Sequence, residues 1–240
     1  MKQLMLTLLL MSFGIASMSQ NYETDNITLR DNTQLQITFV GHGSLILTYD
    51  GKTIYVDPAA DIADYTKMKQ GDILLYTHHH GDHFDVATAQ HLKGENTLVV
   101  GTKDVVEALK QGEALANGDT RTYYDKITVE AVAAYNTSEG RQKFHPQGRD
   151  NGYVLTIGGS RIYIAGDTEP IKEMSRLGRV DVAFLPVNQP YTMTIDQAVE
   201  AARTIKPTIL YPYHFSDTPV EQLVEKLKAD EIEVRLRKLN

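Results

Sequence analysis

The sequence has no cysteine among its 240 residues. Disulfide bonds, thiolate metal sites and a cysteine nucleophile are therefore excluded. It also lacks any long run of lysine or arginine, and its 31 acidic residues outnumber the 24 basic ones, for a net charge of −7. Because nucleic-acid binding usually needs a basic patch, we expect a small-molecule substrate as the partner and no nucleic acid.

Linkers and long apolar runs are scarce as well. No segment rich in proline, glycine and serine divides the chain, and 42% of the residues are hydrophobic, as in a soluble globular protein. Beyond the N-terminus, no apolar stretch approaches the roughly 20 residues that a membrane-spanning helix needs. Residues 20–240 are therefore expected to form a single domain, and the composition leaves the oligomeric state open.

The first 19 residues have the pattern of a secretory signal peptide. Lys2 precedes an apolar run from Leu4 to Ala16, and the small residues Ser17 and Ser19 stand at −3 and −1 of a cut after Ser19. The alternatives are a short membrane anchor and a buried first helix. The run is short for a membrane span and no lipidated cysteine follows it. We expect cleavage, no stable membrane anchor, and a secreted or periplasmic mature protein.

Apolar patterning predicts strands that alternate with helices, which is typical of an α/β fold. The residues Tyr49-Asp50-Gly51-Lys52 carry a hairpin signal, and Thr194 with Gln197 forms a capping box at a helix start. The predicted strands are Leu35–Val40, Leu45–Tyr49, Thr53–Val56, Ile73–Tyr76, Ile127–Tyr135 and Ile209–Tyr211. The predicted helices are Asp85–Lys93, Lys103–Lys110, Ile171–Leu177, Thr194–Thr204 and Pro219–Ala229.

Two segments resemble each other. Leu45–Asp57 reads LILTYDGKTIYVD and Tyr153–Asp167 reads YVLTIGGSRIYIAGD. Each is a hairpin with a glycine turn, and the second strand of each is followed by an aspartate. Two hairpins can be similar by chance, so this pattern has two interpretations: coincidence, or a fold built of two similar halves.

Four of the eight histidines lie in the run His78-His79-His80-Gly81-Asp82-His83. Because side chains alternate along a strand, His78 and His80 are expected on the same side, and Gly81 permits a tight turn before Asp82 and His83. Imidazole and carboxylate ligands together suit zinc, manganese or iron rather than calcium. A surface cluster that binds metal adventitiously is the alternative, but the buried strand before this run favours an ordered metal site.

Two more candidates stand at the ends of predicted strands. Asp167 follows the strand Ile162–Ile164, and His214 follows Ile209–Tyr211. In α/β folds, ligands and catalytic groups gather at such strand ends. Taken alone, either residue could form a turn or be a buried polar group, but beside the histidine run both favour a metal site.

The motifs His78-x-His80-x-Asp82-His83, Gly166-Asp167 and His214, in this order, resemble those of the metallo-β-lactamase-fold hydrolases. Asp57 in Val56-Asp57-Pro58 is similar to the first motif of the family, a structural aspartate near the site. The resemblance extends from Leu35 to His214. It implies a four-layer αββα sandwich of two similar halves, with a binuclear metal site at a sheet edge.

The resemblance also implies the ligands. His78, His80 and one further residue would hold the first metal ion. Asp82, His83 and His214 would hold the second, and Asp167 would bridge the two. Three segments are similar to a widespread group of uncharacterised metal-dependent hydrolases: Gly41-His42-Gly43-Ser44, Tyr135-Asn136 and Phe144-His145-Pro146. They are also similar to lactonase and phosphodiesterase relatives with an early Gly-His motif, and less similar to true β-lactamases.

The third motif departs from the family pattern. Where the family usually has a histidine at a strand end, the predicted strand Ile127–Tyr135 is followed by Asn136. His145 lies in the next segment and is the favoured replacement ligand of the first metal ion. The alternative is that Asn136 or water completes that ligand set.

His42 follows the strand Leu35–Val40 and stands between two glycines. The segment is either a simple tight turn or a means of directing a catalytic histidine into the cleft. His79 is expected to point away from its neighbours, and His91 to lie on the surface. Tyr191–Thr194 is expected either to line the pocket or to serve only as a helix cap.

The implied cofactors are two divalent transition-metal ions, zinc first, with manganese or iron as alternatives. Such a pair lowers the pKa of a shared water and yields a hydroxide nucleophile, with Asp82 as the natural proton acceptor. The expected function is an exported metal-dependent hydrolase acting on an unidentified small substrate. The alternatives are a phosphodiesterase or lactonase with a specific metabolite and, from another class, a non-catalytic metal-binding relative.

The signal-peptide interpretation predicts that the mature protein from the native host begins near Gln20. Intact-mass measurement and N-terminal sequencing of the purified protein test this. A cytoplasmic protein that retains Met1 would contradict it.

Overall fold

The computed structural model describes residues 22–239, and the predicted signal peptide, residues 1–19, lies outside the described residues. The first seven strands in chain order form one sheet and the next seven form the second. The strands of the first sheet, β1 to β7, are Glu23–Thr28, Gln34–Gly41, Ser44–Tyr49, Lys52–Val56, Gly71–Leu75, Lys93–Gly101 and Glu113–Ala114. Those of the second, β8 to β14, are Thr120–Tyr123, Ile127–Ala134, Asp150–Ile157, Ser160–Ile164, Val182–Pro186, Ile209–Tyr213 and Glu233–Val234.

The two sheets have the same topology. In the first, β1 to β4 pair antiparallel and β4 to β7 pair parallel. In the second, β8 to β11 pair antiparallel and β11 to β14 pair parallel. The two similar hairpins of the sequence are β3–β4 and β10–β11, which occupy equivalent places in the two sheets. The interpretation of two similar halves is therefore confirmed.

Helices cover the outer faces of both sheets. The α-helices α1 to α4 are Val86–Leu92, Lys103–Leu109, Ile195–Ile205 and Glu221–Lys226. One apolar cluster joins the first sheet to α1 and α2, and a larger one joins both sheets to α3 and α4. The resulting layers are helix, sheet, sheet and helix, so the expected four-layer αββα sandwich is confirmed.

Aromatic side chains join the two sheets. Phe39 of β2 lies 5.0 Å from Tyr211 of β13, and Tyr211 stacks on Phe184 of β12 at 5.1 Å between ring centroids. All three rings are buried. Burying a ring of this size removes apolar surface from water and is among the largest single favourable contributions to a core.

Local sequence signals account for several element boundaries. The β3–β4 turn places Asp50 at φ 48° and Gly51 at φ 74°, as the Asp-Gly hairpin signal predicts. The capping box of α3 is present, because the Thr194 hydroxyl accepts from the Gln197 N–H and the Gln197 side chain accepts from the Thr194 N–H. No helix among residues 22–239 has both the length and the hydropathy needed to cross a bilayer.

Two predicted helices are shorter or different in type. Ile171–Leu177 forms a 3₁₀ helix over Lys172–Arg176, and the predicted helix Pro219–Ala229 is α-helical only over Glu221–Lys226. Neither start has a side-chain cap, which leaves the first backbone N–H groups without that source of stabilisation. The sequence patterns predict no strand at β1, β6, β7, β8, β12 or β14.

The inter-sheet aromatic cluster predicts a stability effect. Phe184→Ala should lower the free energy of unfolding by about 3–5 kcal/mol, because it removes a buried ring and leaves a cavity. Urea denaturation measures it, with Val224→Ala on exposed α4 as the control, expected within about 0.5 kcal/mol of the parent. Equal stability of both variants would contradict a packed interface between the sheets.

Candidate metal centre

All the residues singled out as candidate ligands converge at one edge of the sandwich. The carboxyl ends of the parallel strands meet there, as is typical of sites in α/β folds. The segment after β5 supplies the histidine run, and the segments after β11 and β13 supply Asp167 and His214. The β2–β3 turn and the β9–β10 loop complete the set with His42 and His145.

A first group consists of three histidines. The imidazoles of His78, His80 and His145 each offer one nitrogen, and the three nitrogens lie within 4.8 Å of one another. The rings of His78 and His80 are 4.6 Å apart, and those of His80 and His145 are 4.8 Å apart. This is the arrangement expected of three ligands of one ion.

A second group lies beside the first. Its donor atoms also lie within 4.8 Å of one another, and its members are His42, Asp82, His83 and His214. His83 and His214 are buried, whereas the Asp82 side chain is 43% exposed and faces the open cleft. We call these sets the first group and the second group.

Asp167 lies between the two groups. Its carboxylate is 3.3 Å from Nε2 of His145 in the first group, and 3.3 and 3.2 Å from Nε2 of His83 and His214 in the second. The side chain is only 3% exposed. A single buried carboxylate thus contacts both groups, which is the position that the resemblance implies for a bridging residue.

The polar atoms of the site fit a metal ion. Nε2 of His78, His83 and His214 and Oδ1 of Asp167 are buried, and they have no hydrogen-bond partner among residues 22–239. Leaving such atoms unpaired is costly, so a buried cluster of them indicates a missing ligand. Nitrogen and carboxylate donors suit zinc, manganese or iron, so the residues present fit such an ion.

Hydrogen bonds on the far side of the rings fix which nitrogen faces the site. Nδ1–H of His83 donates to the buried Asp57 carboxylate at 2.8 Å. The Thr77 hydroxyl donates to the same carboxylate at 2.6 Å, so it accepts from Nδ1–H of His78 at 3.0 Å. Asp57 therefore orients one histidine of each group, and the Nε2 of each of these rings faces the site.

Asp150 plays the same part for His145. Nδ1–H of His145 donates to Asp150 at 3.0 Å, and the Asp150 carboxylate also accepts from the Arg149 guanidinium at 2.7 and 2.8 Å. His145 and Asp150 are both about 1% exposed. The pairing leaves Nε2 of His145 to face the first group.

Charge and burial act differently on the histidines. Burial, reinforced by His145 and Arg149, lowers the pKa of His80 to about 4. Burial also disfavours the charged form of His214, but the nearby Asp167 carboxylate outweighs it and raises the pKa of His214 to about 9. Without a cation in the site, the protein therefore holds positive charge next to Asp167.

The loop between β9 and β10 places His145 in the first group. Asn136 is buried in the same region, where its amide Nδ2–H₂ donates to the Tyr191 carbonyl at 2.7 Å. Glu169 holds the loop start, since its fully buried carboxylate accepts from the N–H groups of Thr137 and Ser138 at 2.8 and 2.6 Å.

Three residues of this network were missed from the sequence. Arg149 directly precedes β10, Asp150 is the first residue of β10, and Glu169 lies two residues after Asp167. The adjacent Arg149-Asp150 pair close behind His145 was the available signal. Glu169 gave none, because a single glutamate in a loop is usually solvated.

The other polar candidates lie away from both groups or at their rim. His79 is half-buried and contacts Asp104 at 3.5 Å, and His91 is exposed on α1. Tyr191 lines the cleft and is 46% exposed, while Thr194 caps α3. The cleft has a volume of about 490 Å³, and Phe144, Ile62 and Asn188 form its walls beside the site residues.

Comparison with known proteins agrees with this architecture. A family model described as the Beta-lactamase superfamily domain matches residues 36–214. A UPF0173 metal-dependent hydrolase of Nanoarchaeum equitans is 30% identical over 208 residues, which cover 84% of this chain and 90% of the relative.

Solved structures agree as well. A Parabacteroides distasonis protein described as a metal-dependent hydrolase is similar with a TM-score of 0.90 and 49% identity, covering 92% of this chain and 100% of that one. A metallo hydrolase of Ignicoccus hospitalis has a TM-score of 0.72 at 24% identity, covering 86% of this chain and 96% of that one, and supports the fold.

Fold and site together define a metal-dependent hydrolase with an αββα sandwich and His/Asp clusters able to bind metal. The chain belongs to the metallo-β-lactamase superfamily.

The geometry predicts that His145, rather than Asn136, is a ligand in the first group. His145→Ala should weaken the binding of one metal equivalent by roughly 100-fold or more, because changes to outer hydrogen-bond partners alone cost 10–100-fold in such sites. Asn136→Ala should act more mildly, through the lost hydrogen bond to Tyr191. Metal titration of both variants measures this, with His91→Ala as the control, and the reverse order would contradict the assignment.

Proposed function

We propose that this protein is an exported hydrolase that holds two divalent metal ions and hydrolyses a small substrate in the cleft above them. The observation that supports the proposal is that one buried carboxylate, Asp167, contacts both donor groups. Zinc is the preferred ion for such a nitrogen-rich set, with manganese and iron as alternatives.

Each of the two ions would be held by a different group of residues. The first group would hold one ion through His78, His80 and His145, and the second would hold the other. The Asp167 carboxylate, between them, would offset the repulsion of the two cations. When bound, such ions lower the pKa of water towards neutrality and polarise the bond under attack.

Asp82 has the position of a proton acceptor. It lines the cleft, and its carboxylate lies 3.1 Å from Nε2 of His42 and 3.4 Å from Nε2 of His214. Burial would raise the pKa of Asp82, but the nearby imidazoles of His214 and His42 hold the pKa well below its usual range. An ionised carboxylate at the floor of the cleft can take up a proton from water during hydrolysis.

The walls of the cleft limit the substrate. Phe144 and Tyr191 pack edge to face at 5.0 Å, and Ile62 adds a further apolar wall. A cleft of about 490 Å³ has the size of a small-molecule site. A lactone or a phosphodiester of a specific metabolite remains the narrower candidate, since either offers one polar bond to the ions and an organic group to the walls.

A non-catalytic metal-binding protein is the alternative from another class. The position of Asp82 favours the enzyme, because a site built only to store metal does not need a half-exposed carboxylate facing a cleft. Export is inferred from the N-terminal sequence pattern, and an exported hydrolase would act outside the cytoplasm.

The proposal predicts about two transition-metal ions per chain in residues 20–240. Asp167→Asn keeps the shape of the side chain but removes its charge, so it should lose most of the metal and nearly all hydrolysis. Mass spectrometry of metal content, beside a screen of lactones, phosphodiesters, amides and thioesters with the Zn- and Mn-loaded protein, measures both effects.

His91→Gln, on exposed α1, is the control and should behave like the parent. Full metal content in Asp167→Asn would show that the bridge is wrongly assigned. A parent chain that binds no transition metal would contradict the proposed hydrolase function.

A further inference from the structure

His42 is held in the second group by its backbone. The residue has φ 48°, a left-handed conformation that is uncommon outside glycine. Its N–H donates to the Leu239 carbonyl at 2.6 Å, and its carbonyl accepts from the His214 N–H at 2.9 Å. His214 has the same unusual φ of 48°. Strain of this kind persists where the surroundings fix it, and it clusters at functional sites.

The glycine after His42 has a specific task. A Cβ atom at Gly43 would lie 2.6 Å from Cε1 of His83, far inside van der Waals contact. The absence of a side chain at this position therefore allows the His83 ring to reach the site beside His42. The segment Gly41-His42-Gly43 is thus fitted to the metal centre, beyond forming the β2–β3 turn.

Three imidazoles converge on one carboxylate oxygen. Oδ2 of Asp82 lies 3.1 Å from Nε2 of His42, 3.4 Å from Nε2 of His214 and 3.7 Å from Nε2 of His83. Two ligands of a tetrahedral zinc ion lie about 3.3 Å apart, given bonds of about 2.0–2.1 Å. The His42 distance fits this spacing as well as those of the two histidines implied by the resemblance.

The His42 and His214 rings also lie side by side, with centroids 3.7 Å apart. The His42 side chain is only 19% exposed. Its Nε2 is directed to the same point as Nε2 of His214, whereas the residues that merely orient a ligand here, Asp57 and Asp150, contact the far Nδ1 of that ligand.

We propose that His42 is a fourth protein ligand of the ion held by the second group, beside Asp82, His83 and His214. The inference rests on the proposed function, because it requires that two ions bind. It makes the two groups unequal: the second surrounds its ion with four side chains plus Asp167, and the first has three plus Asp167. The first group therefore retains more room for substrate.

Two substitutions separate a ligand from a hydrogen-bond partner. In His42→Gln, the amide can still donate to Asp82 but is a weak metal ligand. In His42→Asn, the side chain tolerates the positive φ but is too short to replace the imidazole. The readouts are metal stoichiometry after dialysis against a graded chelator, and the visible spectrum of the cobalt(II)-substituted protein, which responds to the loss of a nitrogen ligand.

If His42 is a ligand, both variants should bind the second metal equivalent roughly 100-fold or more weakly, keep the first equivalent, and show an altered cobalt spectrum. Retention of the first equivalent also shows that the variant is folded. His91→Gln, the matched control, should behave like the parent. A His42→Gln protein that binds both equivalents with the parent's affinity and spectrum would overturn the inference.

The two proposals fail in different ways. If the parent protein binds fewer than two ions, both the binuclear function and the ligand role of His42 are contradicted. If the parent binds two ions and His42→Gln does so equally well, only the ligand role of His42 fails.

Discussion

The site depends on the burial of one carboxylate. Asp167 is 3% exposed and contacts imidazoles of both groups, and taking an ionised carboxylate out of water is costly unless positive charge compensates it. In the protein alone, charged histidines supply that compensation, which is why the pKa of His214 rises to about 9 although burial acts against it. Metal ions would supply it more directly.

A second layer of buried polar groups fixes the geometry. Asp57 orients His83 directly and His78 through the Thr77 hydroxyl, so one carboxylate sets the direction of a ring in each group. Asp150 does this for His145, and Glu169 holds the start of the loop that carries it. Because the far-side Nδ1 atoms of His78, His83 and His145 are paired, the Nε2 atoms of these rings face the site before any ion arrives, and little conformational entropy remains to be lost on binding.

The duplicated architecture explains how the two groups come together. In each sheet, antiparallel strands come first and parallel strands follow. The equivalent hairpins β3–β4 and β10–β11 are each followed by an aspartate. The first of these, Asp57, orients ligands from behind, and the second, Asp167, lies between the groups. The left-handed conformations of Asp57, His42 and His214 lie around this edge. These strained backbone conformations are locally unfavourable, but they direct side chains into the site, as is common at functional sites.

Much of the fold and of the metal site could be predicted from residues that lie close together in the chain. The histidine run, the Asp-Gly hairpin and the Thr194 capping box depend on local geometry, so the sequence was enough to predict a metal site, an α/β fold and the start of α3. The resemblance added the layers of the sandwich. Other features depend on contacts between residues far apart in the chain, which no local pattern encodes. Examples are the approach of His145 to His78, the Glu169 anchor, and the three imidazoles around Asp82. Only tertiary packing decides those contacts, because it alone sets which strand ends share an edge and how closely their side chains meet.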